Sequence, residues 1–135
     1  METSSLQGTR VWVPCDINVW KKAEIVAKLD TDTIQVSLIQ EDPEADTIVQ
    51  VVNVKEVAKL SGDNAMPMCN VMDTKVGVHD MCALDHLHEP AVLENLRIRF
   101  ENSTPYSFTG QICIAVNPYK WLDLYDKVRY IQLLM

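Results

Sequence analysis

The 135-residue sequence has no apolar run approaching the ~18 residues that a membrane span needs. It has no apolar stretch at its start either, since Met1–Gly8 is polar and lacks the apolar region expected of a secretion signal. Its four cysteines, Cys15, Cys69, Cys82 and Cys113, are far apart and form no CxxC pair. That pattern points to free buried thiols in a reducing cytosol rather than a disulfide framework. A surplus of base is missing as well. Twelve Lys and Arg face 19 Asp and Glu, for a net charge of −7, and the excess acid is spread over both halves of the chain. An acidic surface argues against nucleic-acid binding, which needs clustered Lys and Arg, and against an anionic membrane as partner. The chain contains no repeat and no low-complexity segment.

What is present is the composition of a soluble globular protein, 47% hydrophobic and 23% charged, long enough for one domain or two small units. Residues 9–60 read as short strands. Val11-Trp12-Val13 ends at Pro14. From Trp20 to Leu29, apolar Ala23, Ile25, Ala27 and Leu29 alternate with Glu24 and Lys28, the period of a half-buried strand. Ile34, Val36 and Leu38 alternate with Gln35 and Ser37, and Ile48–Val54 is rich in β-branched residues. Four or five such strands in about fifty residues suit a small, strongly bent barrel.

Ser61-Gly62-Asp63-Asn64 combines turn residues and marks a boundary, with a surface-crossing linker through Met66-Pro67-Met68. The pattern predicts 9–61 as one domain, 62–75 as linker and 76–135 as a second piece. In that piece Asp80 is placed to cap a short helix carrying Met81, Leu84 and Leu87. Pro90 suits the first turn of another, with Val92, Leu93, Leu96 and Phe100 as its apolar stripe and Glu94, Arg97 and Glu101 exposed. Tyr106–Thr109, a turn at Gly110 and Gln111–Asn117 then read as a β-hairpin. Its second strand is apolar on both faces, which predicts a position inside a larger sheet.

Two motifs stand in sequence in the second piece. Asp80-Met-Cys-Ala-Leu-Asp-His-Leu-His-Glu-Pro-Ala-Val-Leu-Glu-Asn-Leu-Arg-Ile-Arg-Phe100 resembles the opening of the myosin motor domain, with its Leu-x-x-Leu-His/Asn-Glu-Pro and x-Val-Leu-x-Asn-Leu pattern. Tyr106-Ser-Phe-Thr-Gly-Gln-Ile-Cys-Ile-Ala-Val-Asn-Pro-Tyr-Lys120 is similar to that family's hairpin running into Asn-Pro-[Tyr/Phe/Asn]-Lys. The likeness covers residues 76–125 and leans toward classes V and XI. Residues 9–60, through Val-Trp-Val-Pro and Val-Trp-Lys-x-Ala-Glu-Ile, resemble the SH3-like domain that precedes many myosin motors. The fold class this implies is a small SH3-like β-barrel followed by an α/β fragment, two short helices and a β-hairpin, of the P-loop motor domain.

The resemblance implies that Asn117, Pro118, Tyr119, Lys120 and Tyr125 line the adenine end of an ATP pocket. The physics fits: loops at the C-terminal ends of buried strands are where open α/β sheets bind ligands. A proline and an aromatic ring offer a flat apolar surface to a purine, while Asn and Tyr hydrogen-bond its edge. Asp123 stands where the family typically has proline. The sequence contains no GxxxxGK[ST], hence no nest and lysine for the β- and γ-phosphates and no Ser/Thr for magnesium. The chain is therefore expected to supply one side of the pocket of an actin-activated ATPase and no catalytic residue of its own. A full-length relative would bind actin filaments and light chains or calmodulin, work in the cytoplasm at the actin cytoskeleton, and complete this segment with the remainder of the motor domain.

Other readings of the same residues are weaker. His79, Cys82, Asp85, His86, His88 and Glu89 crowd one stretch, yet His86 and His88 fall on different faces of any helix and no second ligand pair follows. The stretch reads as a helix–helix corner, with no metal, in which Glu89 caps the helix at Pro90. Trp12 and Trp20 would be an aromatic groove for proline-rich peptides in a stand-alone interaction module with a vestigial motor remnant. Core packing is the simpler role for both.

Overall fold

Alternating strands need partners, and here they find them in sequence order. The computed structural model of the protein describes residues 6–62, 64–71 and 75–123. β1 (Arg10–Cys15), β2 (Val19–Lys28), β3 (Thr33–Leu38) and β4 (Val49–Asn53) form an antiparallel sheet in the order β1-β2-β3-β4. Helix α1 (Val54–Leu60), a single 3-10 turn (Met81–Ala83), helix α2 (Glu89–Glu101) and a hairpin of β5 (Tyr106–Thr109) with β6 (Ile112–Ala115) come after it. The architecture is the expected SH3-like β unit followed by two helices and a hairpin, but the short helix expected from Asp80 through Leu87 is only the turn Met81–Ala83, and Leu87 is exposed. The described chain divides into two compact units. One draws on Met1–Met72 with Leu84–Glu94, the other on Asp73–Ala83 with Asn95–Met135.

In the first unit, register decides what is buried. Pairings Val11↔Ala23, Ile25↔Val36 and Ile34↔Val52 bring the apolar positions of four strands onto one face, and all six residues are buried. A register shift between Ile25 and Ala27 bends β2, so that Leu29, the last residue of the expected alternation, is exposed. Trp12 and Trp20 are 5% and 7% exposed, as core packing requires. Lys22 lies 5.1 Å from the centre of the Trp12 ring and pairs with Glu94 at 3.1 Å. The Trp12 Nε1 donor is buried and has no partner among the described residues.

The outer edge of β1 is occupied by the stretch expected as a linker. Trp12 N–H donates to Pro67 O (2.8 Å), Cys69 N–H donates to Arg10 O (3.0 Å), and Met68 bridges Val11. Unpaired edge groups are satisfied by this local strap.

Three expectations are corrected. Residues 54–60 are helical, not part of a strand. Asn53 Oδ1 accepts from Lys55 N–H (3.0 Å) and Glu56 N–H (3.2 Å), an N-cap that ends β4 and starts α1. The buried side of α2 is also different: Ala91, Asn95, Ile98 and Arg99 are buried, whereas Leu93 and Phe100 are 42% and 40% exposed. Hydropathy lost to hydrogen bonding there. Asn95 Oδ1 accepts from Val78 N–H (2.7 Å) and its Nδ2 donates to Val78 O (3.0 Å), so the polar side chain replaces a missing backbone partner. Glu89, finally, is not the cap of α2. His88 Nδ1 accepts from Ala91 N–H (3.2 Å) while Nε2–H donates to Met68 O (2.7 Å), and Trp20 Nε1 donates to Glu89 at 3.3 Å instead.

In the second unit the hairpin is a two-stranded sheet among the described residues. Ile112 is 67% exposed, and Cys113 and Ala115 are exposed too. The expectation of a larger sheet is therefore not met within the described residues. An apolar strand left open on both faces is what that expectation was built on.

Candidate functional site

β6 ends at Ala115, and three local constraints set the course of the chain beyond it. Val116 N–H donates to Pro105 O at 2.9 Å, holding the exit of β6 beside the entry of β5. Pro118 restricts Asn117 to extended backbone. Asn117 Oδ1 then accepts from Tyr119 N–H at 2.9 Å, an Asx turn that carries Tyr119 into the left-handed region at φ 51°. A non-glycine residue in that region costs about 1 kcal/mol or more, which the turn must offset. The chain folds back after it, and Lys120, Trp121 and Leu122 face the end of the hairpin.

The result is a pocket of about 380 Å³ with two walls. Pro105, Tyr106, Ala115 and Val116 form one, and Asn117, Pro118, Lys120, Trp121 and Leu122 form the other. The lining is mostly apolar with an amide, an ammonium and a large ring, the mixture that suits a flat heterocycle. Asn117 Oδ1 is engaged in the turn, and its Nδ2 donors have no part in that bond. The Trp121 ring is fully exposed.

Three of the five residues expected here, Asn117, Pro118 and Lys120, do line the pocket. Tyr119 does not: it is 90% exposed and not part of the lining. Tyr125 lies outside the described residues. Sequence reasoning missed Trp121 and the opposite wall. The signal for that wall was the hairpin register, because pairing Tyr106 with Ala115 necessarily sets Pro105 against Val116.

The hairpin is braced from the other side. Asp80 accepts from Cys82 N–H (2.9 Å) and Gly110 N–H (3.1 Å), and these bonds hold its carboxyl below the usual carboxylate range. Phe108 N–H donates to His79 O at 2.8 Å, with the two rings 4.7 Å apart. In the His-rich stretch both His88 nitrogens are used in hydrogen bonds, and Asn70 clasps the backbone of His86 through bonds of 2.7 and 2.9 Å. Among the described residues no three His, Cys, Asp or Glu side chains are grouped to hold a metal ion. No helix of the described residues is long and apolar enough to cross a membrane.

Comparison with known proteins gives the site a context. The family model described as myosin head (motor domain) matches residues 78–133. The likeness thus runs past Tyr125, where the motifs alone ended it. Over 121 residues the chain is 39% identical to unconventional myosin-Vb of Mus musculus, covering 88% of this chain and 6% of that protein. Unconventional myosin-Vc of Homo sapiens gives the same identity and coverage, and the myosin-J heavy chain of Dictyostelium discoideum is 35% identical over 90% of this chain and 5% of its own length. Matches of that extent include the first unit as well as the second. The chain spans about a twentieth of the length of these relatives.

Proposed function

Since this chain belongs to the myosin family, we propose that it is an N-terminal segment of an actin-based, ATP-driven motor and that its 105–122 pocket takes the adenine end of ATP. The observation that carries this reading is the convergence of Asn117, Pro118, Lys120 and Trp121 with Pro105 and Tyr106 in one concave, mostly apolar site. Pro118, Trp121 and Val116 stack and exclude water from the base. Asn117 donates to a ring nitrogen. Lys120 offers a further donor to the edge of the base. Phosphate and magnesium binding fall to residues that this sequence does not contain, since GxxxxGK[ST] is absent from it. The chain alone is accordingly a binding surface and not a catalyst. Tyr125 belongs to the same proposal.

Actin filaments, light chains or calmodulin, and a cytoplasmic, cytoskeletal location are part of the proposal for the full-length motor. So is the division into an SH3-like domain (9–61), a linker (62–75) and a motor segment (76–135). The stand-alone interaction module is disfavoured by the burial of Trp12 and Trp20, which withdraws both rings from any groove for a proline-rich peptide.

The three tryptophans make the test direct, because Trp121 is fully exposed and the other two are buried. Iodide should quench Trp121 selectively. Adenosine in the millimolar range should protect it, and tripolyphosphate should not. Equal protection by both, or by neither, would contradict the purine assignment.

A further inference from the structure

The second unit contains a buried cation that the proposed nucleotide contacts do not use. Arg99, in the last turn of α2, is 8% exposed, and desolvation lowers its pKa. Among the described residues no carboxylate pairs with it. Its guanidinium is spent on the start of β5: Nη2 donates to Tyr106 O at 2.8 Å and Nε donates to Ser107 Oγ at 3.0 Å. Ser107 is itself 1% exposed. The backbone of the same residue holds the preceding loop, since Arg99 O accepts from both Thr104 N–H and Thr104 Oγ1 at 2.8 Å. Gly77 packs so closely that an added Cβ would stand 3.0 Å from Arg99 Cγ, which leaves the arginine stem little freedom.

These bonds fix residues 104, 106 and 107, and two of the pocket's residues, Pro105 and Tyr106, lie between or among them. A buried charge is costly to desolvate, and a fold that needed only packing there would do better with an apolar side chain. What arginine adds is a rigid fork that reaches two acceptors at once; a lysine, a point donor on a flexible stem, cannot hold both.

We infer that Arg99 is a positioning residue for the proposed purine site: it fixes the Pro105–Tyr106 part of one wall, opposite the 117–122 loop, where a flat base would be held between the two. The inference rests on the purine reading of the 105–122 pocket. It concerns recognition of the base and not the phosphates.

The test compares the unaltered 135-residue chain with Arg99→Lys, Ser107→Ala and the exposed control Arg97→Lys. Adenosine half-saturation is read from Trp121 emission, and amide exchange at Val116, which donates to Pro105 O, reports the wall itself. Arg99→Lys should weaken adenosine about fivefold, the size of one lost hydrogen bond, and speed Val116 exchange. Ser107→Ala should do both to a smaller degree, and Arg97→Lys should do neither. If Arg99→Lys speeds exchange but leaves adenosine half-saturation unchanged, the positioning role is wrong while the purine site stands. If the unaltered chain shows no adenosine response, the purine reading fails and this inference with it.

Discussion

Replacing Asn95 by alanine should open the second unit far more than the loss of one polar side chain on a helix suggests. Asn95 is 1% exposed, and its amide makes both hydrogen bonds of Val78, at 2.7 Å to the N–H and 3.0 Å to the carbonyl. Alanine leaves two half-buried backbone groups unpaired. At about 1–3 kcal/mol for each, discounted because water can reach Val78, the loss is about 2–4 kcal/mol. Alanine's better helix propensity returns about 0.5 kcal/mol. Native-state amide exchange measures this at Phe108 N–H, bonded to His79 O, and at Val116 N–H, bonded to Pro105 O. Exchange there should speed by about one to two and a half decades, at 1.4 kcal/mol per decade, or to the limit set by the unit's own stability. Leu38 N–H, bonded to Ile48 O within the first sheet, is the reference. Gly77→Ala should act in the same direction, since its Cβ would stand 2.7 Å from Asn95 Oδ1 at a φ of 74°. A change below about threefold at Phe108 and Val116 would refute the view that Asn95 substitutes for a strand partner, because it would mean less than one hydrogen bond was lost.

His88→Ala should destabilise the first unit by about 2–3 kcal/mol in thermal unfolding, losing the Met68 bond and the α2 cap together. His88→Asn should recover the capping part only. Burial pushes the Cys69 thiol up to about 11, while hydrogen bonds from the Asn18 and Ile17 backbone lower that of Cys15. Iodoacetamide at pH 8 should therefore modify Cys15 first and Cys69 last, by peptide mass; early labelling of Cys69 would contradict its place against the core. Asp80 has a depressed folded-state pKa, from hydrogen bonds donated by Cys82 and Gly110, so its stabilisation is complete above the ordinary carboxylate value of 3.8 and disappears as pH falls through the folded value. Asp80→Asn should remove that acid-side slope from the hairpin's unfolding profile, and an unchanged slope would rule Asp80 out as its source.

What could be read from the sequence depended on whether burial followed hydropathy. It did so in β2 and β3, where Ala23, Ile25, Ile34 and Val36 sit at alternate positions and are all buried. It failed in α2, where Asn95 and Arg99 take buried positions because backbone groups of Val78 and Tyr106 need partners that no local pattern reveals. Helix α1 was missed because β-branched Val52 and Val54 masked the cap at Asn53, although Glu56 three residues later was a readable start signal. Beyond β6, the Asn-Pro motif pointed to a loop that does line a pocket, but not to how its residues are arranged there. Asn117 spends its carbonyl on the turn, and that turn swings Tyr119 outward and brings Lys120 and Trp121 to the pocket. Pro105 and Tyr106 are distant in sequence from Asn117 and become its neighbours only through the hairpin register.

The central claim is that the loop after β6, with the entry of β5, receives the adenine end of a nucleotide. Backbone amide shifts of the labelled chain, titrated with adenosine and separately with tripolyphosphate, test it most directly. Adenosine-dependent shifts should concentrate at Tyr106, Ala115, Val116, Asn117, Lys120, Trp121 and Leu122, saturating no tighter than about millimolar because the phosphate contacts are absent from this sequence, with no comparable pattern from tripolyphosphate. Shifts scattered over the first sheet, or the same pattern from both ligands, would contradict it.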